Sequence, residues 1–353
     1  MKLVIEKSIP FIKGVFEPYA EVAYLDGTEI SHNDLLDVDA LIIRTRTRCN
    51  AALLDGTNVR MIATAAIGTD HVDLQWCNEH GIHVSNAAGC NAGAVMNYVF
   101  SAMFGCAARK SRNILGSTIG IIGCGSTGIR VENAARKLGF KVLLNDPPRE
   151  EAEGPSQFCS LDYLLANSDI VTLHVPLSDT TRKMCSDDFF SKMKFGAMLI
   201  NTARGEIVDD GALFKALPRL DSLVIDTWNG EPDVDPRLVA VADIATPHIA
   251  GYSYQGKLGG TRMAVRSTAR FFGITDLYDF VPEPDIEGMD SISLNFTGMS
   301  QGQMASTLQY NYPVFTDDFL FRMNPGDFKE LRHNYKYRRE FFIRSEERRV
   351  GKE

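Results

Sequence analysis

The chain is poor in what a disulfide framework or a zinc site needs. Its seven cysteines, at 49, 77, 90, 106, 124, 159 and 185, are odd in number, include no C-x-x-C pair, and stop well before the C-terminus. They read as small buried apolar residues, so no metal site is expected. A long hydrophobic run is also missing: Glu6 and Lys7 cut short the apolar start "MKLVIEKSIP", and no later stretch approaches membrane-spanning length. A cytoplasmic protein with no membrane partner is expected. Excess positive charge is lacking as well. The formal net charge is -8 and the pI about 5.5, which argues against a general nucleic-acid or anionic-membrane surface but not against a local basic pocket. Internal repeats and low-complexity tracts are absent from the 353 residues.

An apolar share of 44% and a charged share of 23% are those of a globular protein, and the length calls for two or three domains. Short β-rich runs alternate with helical stretches: 2–6, 22–25, 40–45, 60–66 and 82–87 first, then 118–123, 141–146, 169–175, 197–203, 222–228 and 242–247. This alternation predicts α/β architecture with open, mainly parallel sheets, the second series being a complete doubly wound domain. Between the series, "AGAVMNYVFSAMFGCAAR" (92–109) is apolar on most sides and contains no proline, as expected of a long buried helix that bridges two domains. After about Gly273 the chain turns polar and then basic, which suggests a third, smaller unit.

The strongest motif is "GIIGCGSTGIRVENAARKLGFKVLLNDPPRE". Gly123, Gly125 and Gly128 form G-x-G-x-x-G between a predicted strand and a predicted helix, and Asp146 ends the next strand. The glycines permit a tight turn, close approach of backbone to a pyrophosphate, and helix–strand packing; the helix N-terminus offers N–H groups to the anion. A carboxylate at Asp146 would accept from ribose hydroxyls and repel a 2'-phosphate, which favours NAD. Arg149 close by keeps NADP open as an alternative.

Hydride transfer also needs an anchor for the substrate and a group that takes the alcohol proton. Arg204 in "NTARGEIVDD", Glu231 in "DTWNGEPDVD" and His248 in "ATPHIAGYS" all lie on loops at strand carboxyl ends, where open α/β sheets bind ligands. Taken singly, Arg204 could be a helix cap or surface charge, Glu231 a turn residue, and His248 a satisfied core histidine. Of the other histidines (32, 71, 80, 83, 174 and 333), only His174 in "TLHVPLSD" also follows a strand of the cofactor domain. In "LIIRTRTRCN" (41–50), Arg44, Arg46 and Arg48 alternate with Thr45 and Thr47. An extended chain would put the three guanidiniums on one face, either as a solvated strand end or as a site for a carboxylate or phosphate.

"GTDHVD" (68–73), the glycine motif, "HVPLSDTTR" (174–182), "INTARGEIVD" (200–209), "DTWNGEP" (226–232) and "PHIAG" (247–251) together resemble the D-isomer-specific 2-hydroxyacid dehydrogenases. "GCNAGAV" (89–95), "NDPPRE" (145–150), "TPHIAGYSYQGKLGGT" (246–261) and "FKELRHNYKYRREF" (328–341) are similar to the branch that serves pyridoxine biosynthesis; the last segment has no counterpart in most of the wider family. The resemblance implies His248 as acid/base, Glu231 as the carboxylate that orients it, and Arg204 as the guanidinium holding the substrate carboxylate, with His174 lining the nicotinamide. Cofactor contacts are implied for Ser126, Thr127, Asp146, Thr172, Asp226 and Gly251, and substrate contacts for Thr45, Thr64 and Tyr252. Arg44 and Arg46 are then the expected cations for a substrate phosphate, with Arg48 solvated.

The implied fold is a Rossmann-type NAD domain (93–252) inserted in a flavodoxin-like substrate domain (1–92 and 253–275), followed by a small α+β dimerisation domain (276–342). The implied reaction is oxidation of 4-phospho-D-erythronate at C2 by NAD, in a homodimer. Rival readings are a dehydrogenase of another D-2-hydroxyacid, such as phosphoglycerate or glycerate, and an NAD-sensing corepressor-like binding protein. The end, "IRSEERRVGKE" (343–353), lacks apolar periodicity. It reads as a disordered or foreign tail in a place where the family ordinarily continues for some tens of residues.

Overall fold

The computed structural model describes residues 1–344. They divide into two compact units, Met1–Asn91 with Ser253–Asp290, and Ala92–Tyr252 with the chain from Ser291 onward.

The first unit is built on five parallel strands, β1 (Lys2–Glu6), β2 (Glu21–Leu25), β3 (Ala40–Ile43), β4 (Met61–Thr64) and β5 (His83–Asn86), in the order β2-β1-β3-β4-β5. Both faces are covered, and alternate side chains enter different cores. Leu3, Ile5, Ala40 and Ile42 pack with Ala264 and Val265, whereas Val4, Leu41 and Ile43 pack with Leu35 and Leu54. Ala264 and Val265 belong to the helix Tyr254–Phe272, whose first turn is capped by Ser253 accepting from the Gly256 N–H, and which ends at Gly273 with φ 72°. Such a positive φ is where glycine replaces other residues at a helix end. This strand order is the flavodoxin-like one.

In the second unit six parallel strands, β6 (Thr118–Ile122), β7 (Lys141–Asn145), β8 (Ile170–Leu173), β9 (Ala197–Asn201), β10 (Leu220–Ile225) and β11 (Ile244–Ala245), lie in the order β11-β10-β9-β8-β6-β7. The chain runs from β6 to β7 on one side and then to β8 on the other, so the order reverses at β6. A reversal of this kind opens a crevice at the strand carboxyl ends.

The helix predicted over 92–109 forms as Ala92–Arg109 and is buried from Ala92 to Ala107. The C-terminal segment supplies part of that cover: Asn97 exchanges hydrogen bonds with both backbone groups of Phe341, at 2.8 and 2.9 Å, and Ser101 donates to the Tyr312 carbonyl at 2.5 Å. In place of a separate third body beginning near 276, residues up to Asp290 group with the first unit and those from Ser291 with the second. A helix that is apolar all round needs cover on every side. β12 (Ile292–Asn295) and β13 (Phe341–Arg344) pair in parallel across this segment. Ile343 and Arg344 are therefore strand rather than tail, and the remainder of the expected tail, 345–353, lies outside the described residues.

All seven cysteines are free, with Cys90 and Cys159 partly exposed and the others buried. Among the described residues no helix is long and apolar enough to cross a membrane.

Candidate active site

The glycine loop leaves β6 at Gly123, which has φ 88°, and Gly125 caps the helix Ser126–Lys137. A Cβ on Gly128 would stand 2.1 Å from the Gly123 carbonyl oxygen, so helix and strand meet only because no side chain intervenes. Gly125 and Ser126 are exposed and Thr127 is half-buried, which presents the first N–H groups of the helix outward. Asp146 follows β7, as expected. Its carboxylate accepts from the Cys124 N–H at 2.7 Å and the Arg149 N–H at 3.1 Å, tying the glycine loop to the next helix. The Arg149 guanidinium donates to the Cys124 carbonyl at 2.6 Å and to Glu153 at 2.7 Å. It is thus engaged within the protein, not displayed for a 2'-phosphate. The loop, the helix end and the acid together fit a dinucleotide.

Three loops of this unit carry the predicted polar residues. Arg204 follows β9 and begins the short turn Gly205–Ile207; its Nη1 donates to the Ala203 carbonyl at 2.7 Å. A Cβ on Gly205 would lie 1.9 Å from the Trp228 carbonyl carbon, so this loop is pressed against the loop after β10. There Glu231 accepts from the Trp228 N–H at 2.9 Å through one oxygen, and its other oxygen meets His248 Nδ1 at 2.8 Å. Burial pushes the Glu231 carboxyl upward, but the His248 hydrogen bond and charge, the Trp228 N–H and the Arg332 guanidinium together hold it below the ordinary carboxylate range.

His248 follows β11 with φ 56°, an uncommon conformation for a side-chain-bearing residue. Its N–H is held by the Asp226 carbonyl at 2.8 Å. The buried Asp226 carboxylate spends both oxygens on the same loop, accepting from Thr246 Oγ1 at 2.7 Å, Ile249 N–H at 2.8 Å and Ala250 N–H at 3.0 Å. That geometry makes Asp226 the clamp of the histidine loop. Thr172 is buried and shares a hydrogen bond of 3.0 Å with His174 Nε2. Burial lowers the His174 pKa to about 3, far from the range a general base needs at neutral pH. Gly251 and Tyr252 are half-buried and follow His248 in the same loop.

In the first unit the arginine stretch departs from expectation. β3 stops at Ile43 and the chain turns over Thr45 and Arg46, so the guanidiniums do not alternate along a strand. The cause is Glu6, a wholly buried carboxylate at the end of β1. One of its oxygens takes the Arg44 N–H at 2.7 Å; the other accepts from Ser8 Oγ at 2.5 Å and stands 3.5 Å from Arg46 Nη2. Arg46 is also 3.5 Å from Asp26 and remains 39% exposed. Arg44 reaches the Ser8 carbonyl at 3.4 Å. Thr45 and Arg48 are exposed, whereas Thr47 is buried and donates to the Gly27 carbonyl. Thr64, at the end of β4, is buried, and its Oγ1 has no hydrogen-bond partner among the described residues.

Sequence reasoning missed Glu6 and Arg332. Glu6 had a signal, a charged residue closing the apolar run "KLVIE". Arg332 lay in a segment noticed for its basic character but not resolved into residues.

The glycine loop, the acid after β7 and a Glu–His pair at the strand carboxyl ends define a dinucleotide-binding α/β protein equipped for acid–base chemistry. Residues 100–250 match the model of the D-isomer specific 2-hydroxyacid dehydrogenase, NAD binding domain. The chain is 41% identical to an erythronate-4-phosphate dehydrogenase of Bacteroides fragilis over 96% of this chain and 97% of that protein, and 37% identical to one of Porphyromonas gingivalis over 96% and 94%. The chain belongs to the erythronate-4-phosphate dehydrogenases, a branch of the D-isomer-specific 2-hydroxyacid dehydrogenase family. Among solved structures, it is similar to the D-lactate dehydrogenase of Aquifex aeolicus complexed with NAD and lactic acid, with a TM-score of 0.65 and 25% identity over 81% of this chain and 100% of that one.

Proposed function

We propose that this protein oxidises 4-phospho-D-erythronate at C2 to (R)-3-hydroxy-2-oxo-4-phosphobutanoate with NAD, a step of pyridoxal 5'-phosphate biosynthesis. The observation that carries the reading is the 2.8 Å bond between His248 Nδ1 and a Glu231 carboxylate held below its ordinary range. A carboxylate in that state accepts the Nδ1 proton and so leaves Nε2 as the ring nitrogen that can take the C2 hydroxyl proton. NAD, when bound, accepts the hydride from C2. Gly123, Gly125, Ser126, Thr127 and Gly128 hold its pyrophosphate, and Asp146 its adenosine ribose. Thr172, Asp226, Gly251 and the neutral, half-buried His174 line the nicotinamide end, and Asp226 also keeps the His248 loop in place. Arg204 holds the substrate carboxylate beside the Glu231–His248 pair. Thr45, Thr64 and Tyr252 contact the substrate, and Arg44 and Arg46 take its phosphate.

Association as a homodimer in the cytoplasm belongs to the same reading. The C-terminal helices Gln301–Asn311 and Val314–Met323 expose Tyr310 (88%), Phe319 (60%) and Met323 (70%). Large exposed apolar side chains on two consecutive helices suit a face shared by two copies.

The test is NADH formation by the full chain from 4-phospho-D-erythronate, D-erythronate, 3-phospho-D-glycerate and D-glycerate. Preference for the first by kcat/KM is expected. Preference for a glycerate would move the protein to another hydroxyacid, and NAD binding without turnover on any of the four would make it a binding protein.

A further inference from the structure

The C-terminal segment does more than cover the helix Ala92–Arg109. Two of its tyrosines meet Tyr252, the residue four places after His248: the ring centroids of Tyr335 and Tyr337 lie 5.9 and 6.2 Å from that of Tyr252. Between this group and the core, the Arg332 guanidinium sits 5.8 Å from the Tyr252 ring and 5.7 Å from the Phe328 ring. Its side chain is 28% exposed, and Nε is buried without a hydrogen-bond partner among the described residues. The carboxylate paired with it among the described residues is Glu231, whose Oε2 is 4.0 Å from Nη1 and already meets His248. That distance is beyond hydrogen-bond reach.

A guanidinium carries five N–H donors in a planar fork and keeps its charge at any physiological pH. Placing such a group largely out of water, with a buried donor unused and only one distant counter-charge among the described residues, is costly unless something else completes it. Here the missing partner has a defined chemistry: a planar or tetrahedral oxyanion that can accept two donors. The setting is the two loops that carry Glu231 and His248, where a substrate anion has reason to be. The D-lactate dehydrogenase neighbour is matched over its whole length by 81% of this chain, so the shared dehydrogenase fold is complete without a good part of this sequence.

We propose that Arg332 is a substrate-binding residue supplied by the C-terminal segment, donating to an oxyanion of the substrate, its phosphate or its carboxylate, above the Tyr252 ring. This rests on the proposed dehydrogenase function for the identity of the substrate, but not for the presence of an anion site.

The experiment uses the full chain and the variants Arg332→Ala and Arg332→Lys. Inorganic phosphate and oxalate are titrated calorimetrically in the presence of saturating NAD, and kcat and KM are measured on 4-phospho-D-erythronate and D-erythronate. Arg332→Ala should weaken one anion, and raise KM for the substrate that bears the matching group, by roughly ten- to a hundred-and-fifty-fold. Arg332→Lys, which keeps the charge and loses the fork, should recover part of both. Loss on phosphate with KM unchanged for D-erythronate assigns the phosphate; loss on oxalate with KM raised for both substrates assigns the carboxylate. Wild-type binding of both anions by Arg332→Ala, or a fall in kcat with anion binding and KM unchanged, would overturn the proposal. If Arg332→Ala does not fold, the Lys variant decides alone: anion affinity equal to wild type contradicts it. Because the titrations need no turnover, a wild-type enzyme inactive on 4-phospho-D-erythronate would defeat the functional reading while leaving the anion site to be judged separately.

Discussion

His248 follows β11 in one unit and Arg46 follows β3 in the other, and each basic side chain rests against a carboxylate, at 2.8 Å from Glu231 and 3.5 Å from Glu6. Glu231 keeps one oxygen for the Trp228 N–H and turns the other squarely to Nδ1. A bond of that length fixes where a proton sits, which is what a base requires. Glu6 is wholly buried and gives its best bonds to the Arg44 N–H and the Ser8 hydroxyl. Arg46 receives only what remains, a loose pairing that holds the guanidinium in the loop without using up its donors. The same pairing of residue types therefore serves proton placement in one loop and the display of a cation in the other.

The comparison breaks most visibly at the histidine. His248→Asn should lower kcat by roughly 10²- to 10⁴-fold and leave NAD affinity near wild type. Near-native turnover would move the base elsewhere, with His174 next to be tested. A smaller effect is expected at Asp146, where the carboxylate both caps the helix beginning at Pro147 and holds the Cys124 N–H. Asp146→Ala should cost about 0.5–2 kcal/mol of stability by denaturant titration. It should also raise KM for NAD and relax discrimination against NADP. An unchanged cofactor preference would show that other groups read the ribose.

The smallest effect concerns His174. With a pKa lowered from 6.5 to about 3 by burial, the unfolded chain binds more protons than the folded one between those values. Stability should therefore rise with pH through that window and flatten above about 6.5. His174→Gln should reduce the slope, read as Tm against pH. An unchanged slope would mean that other groups dominate acid sensitivity.

Much of this was legible in the sequence. β-rich runs marked all eleven strands of the two large sheets, because buried parallel strands need continuous apolar residues, and nine of the eleven carboxyl ends were overrun by one to three residues. The glycine loop and the His248 loop were legible because their chemistry depends on residues close together in sequence. Glu6 and Arg44 were not, since the bond that ends β3 joins residues from different strands. Arg332 escaped for the same reason: its significance lies in the packing of Tyr252 and Phe328 around it.

The central claim is that the loop held by Glu6 reads a phosphate while the Glu231–His248 pair performs the chemistry. It is tested by the ratio of kcat/KM for 4-phospho-D-erythronate to that for D-erythronate, in the wild type and in Arg46→Ala. Loss of one charge-assisted contact should shrink the ratio by roughly ten- to a hundred-and-fifty-fold, with activity on D-erythronate nearly unchanged. Equal losses on both substrates, leaving the ratio where it was, would contradict the account and make Arg46 a support of the fold.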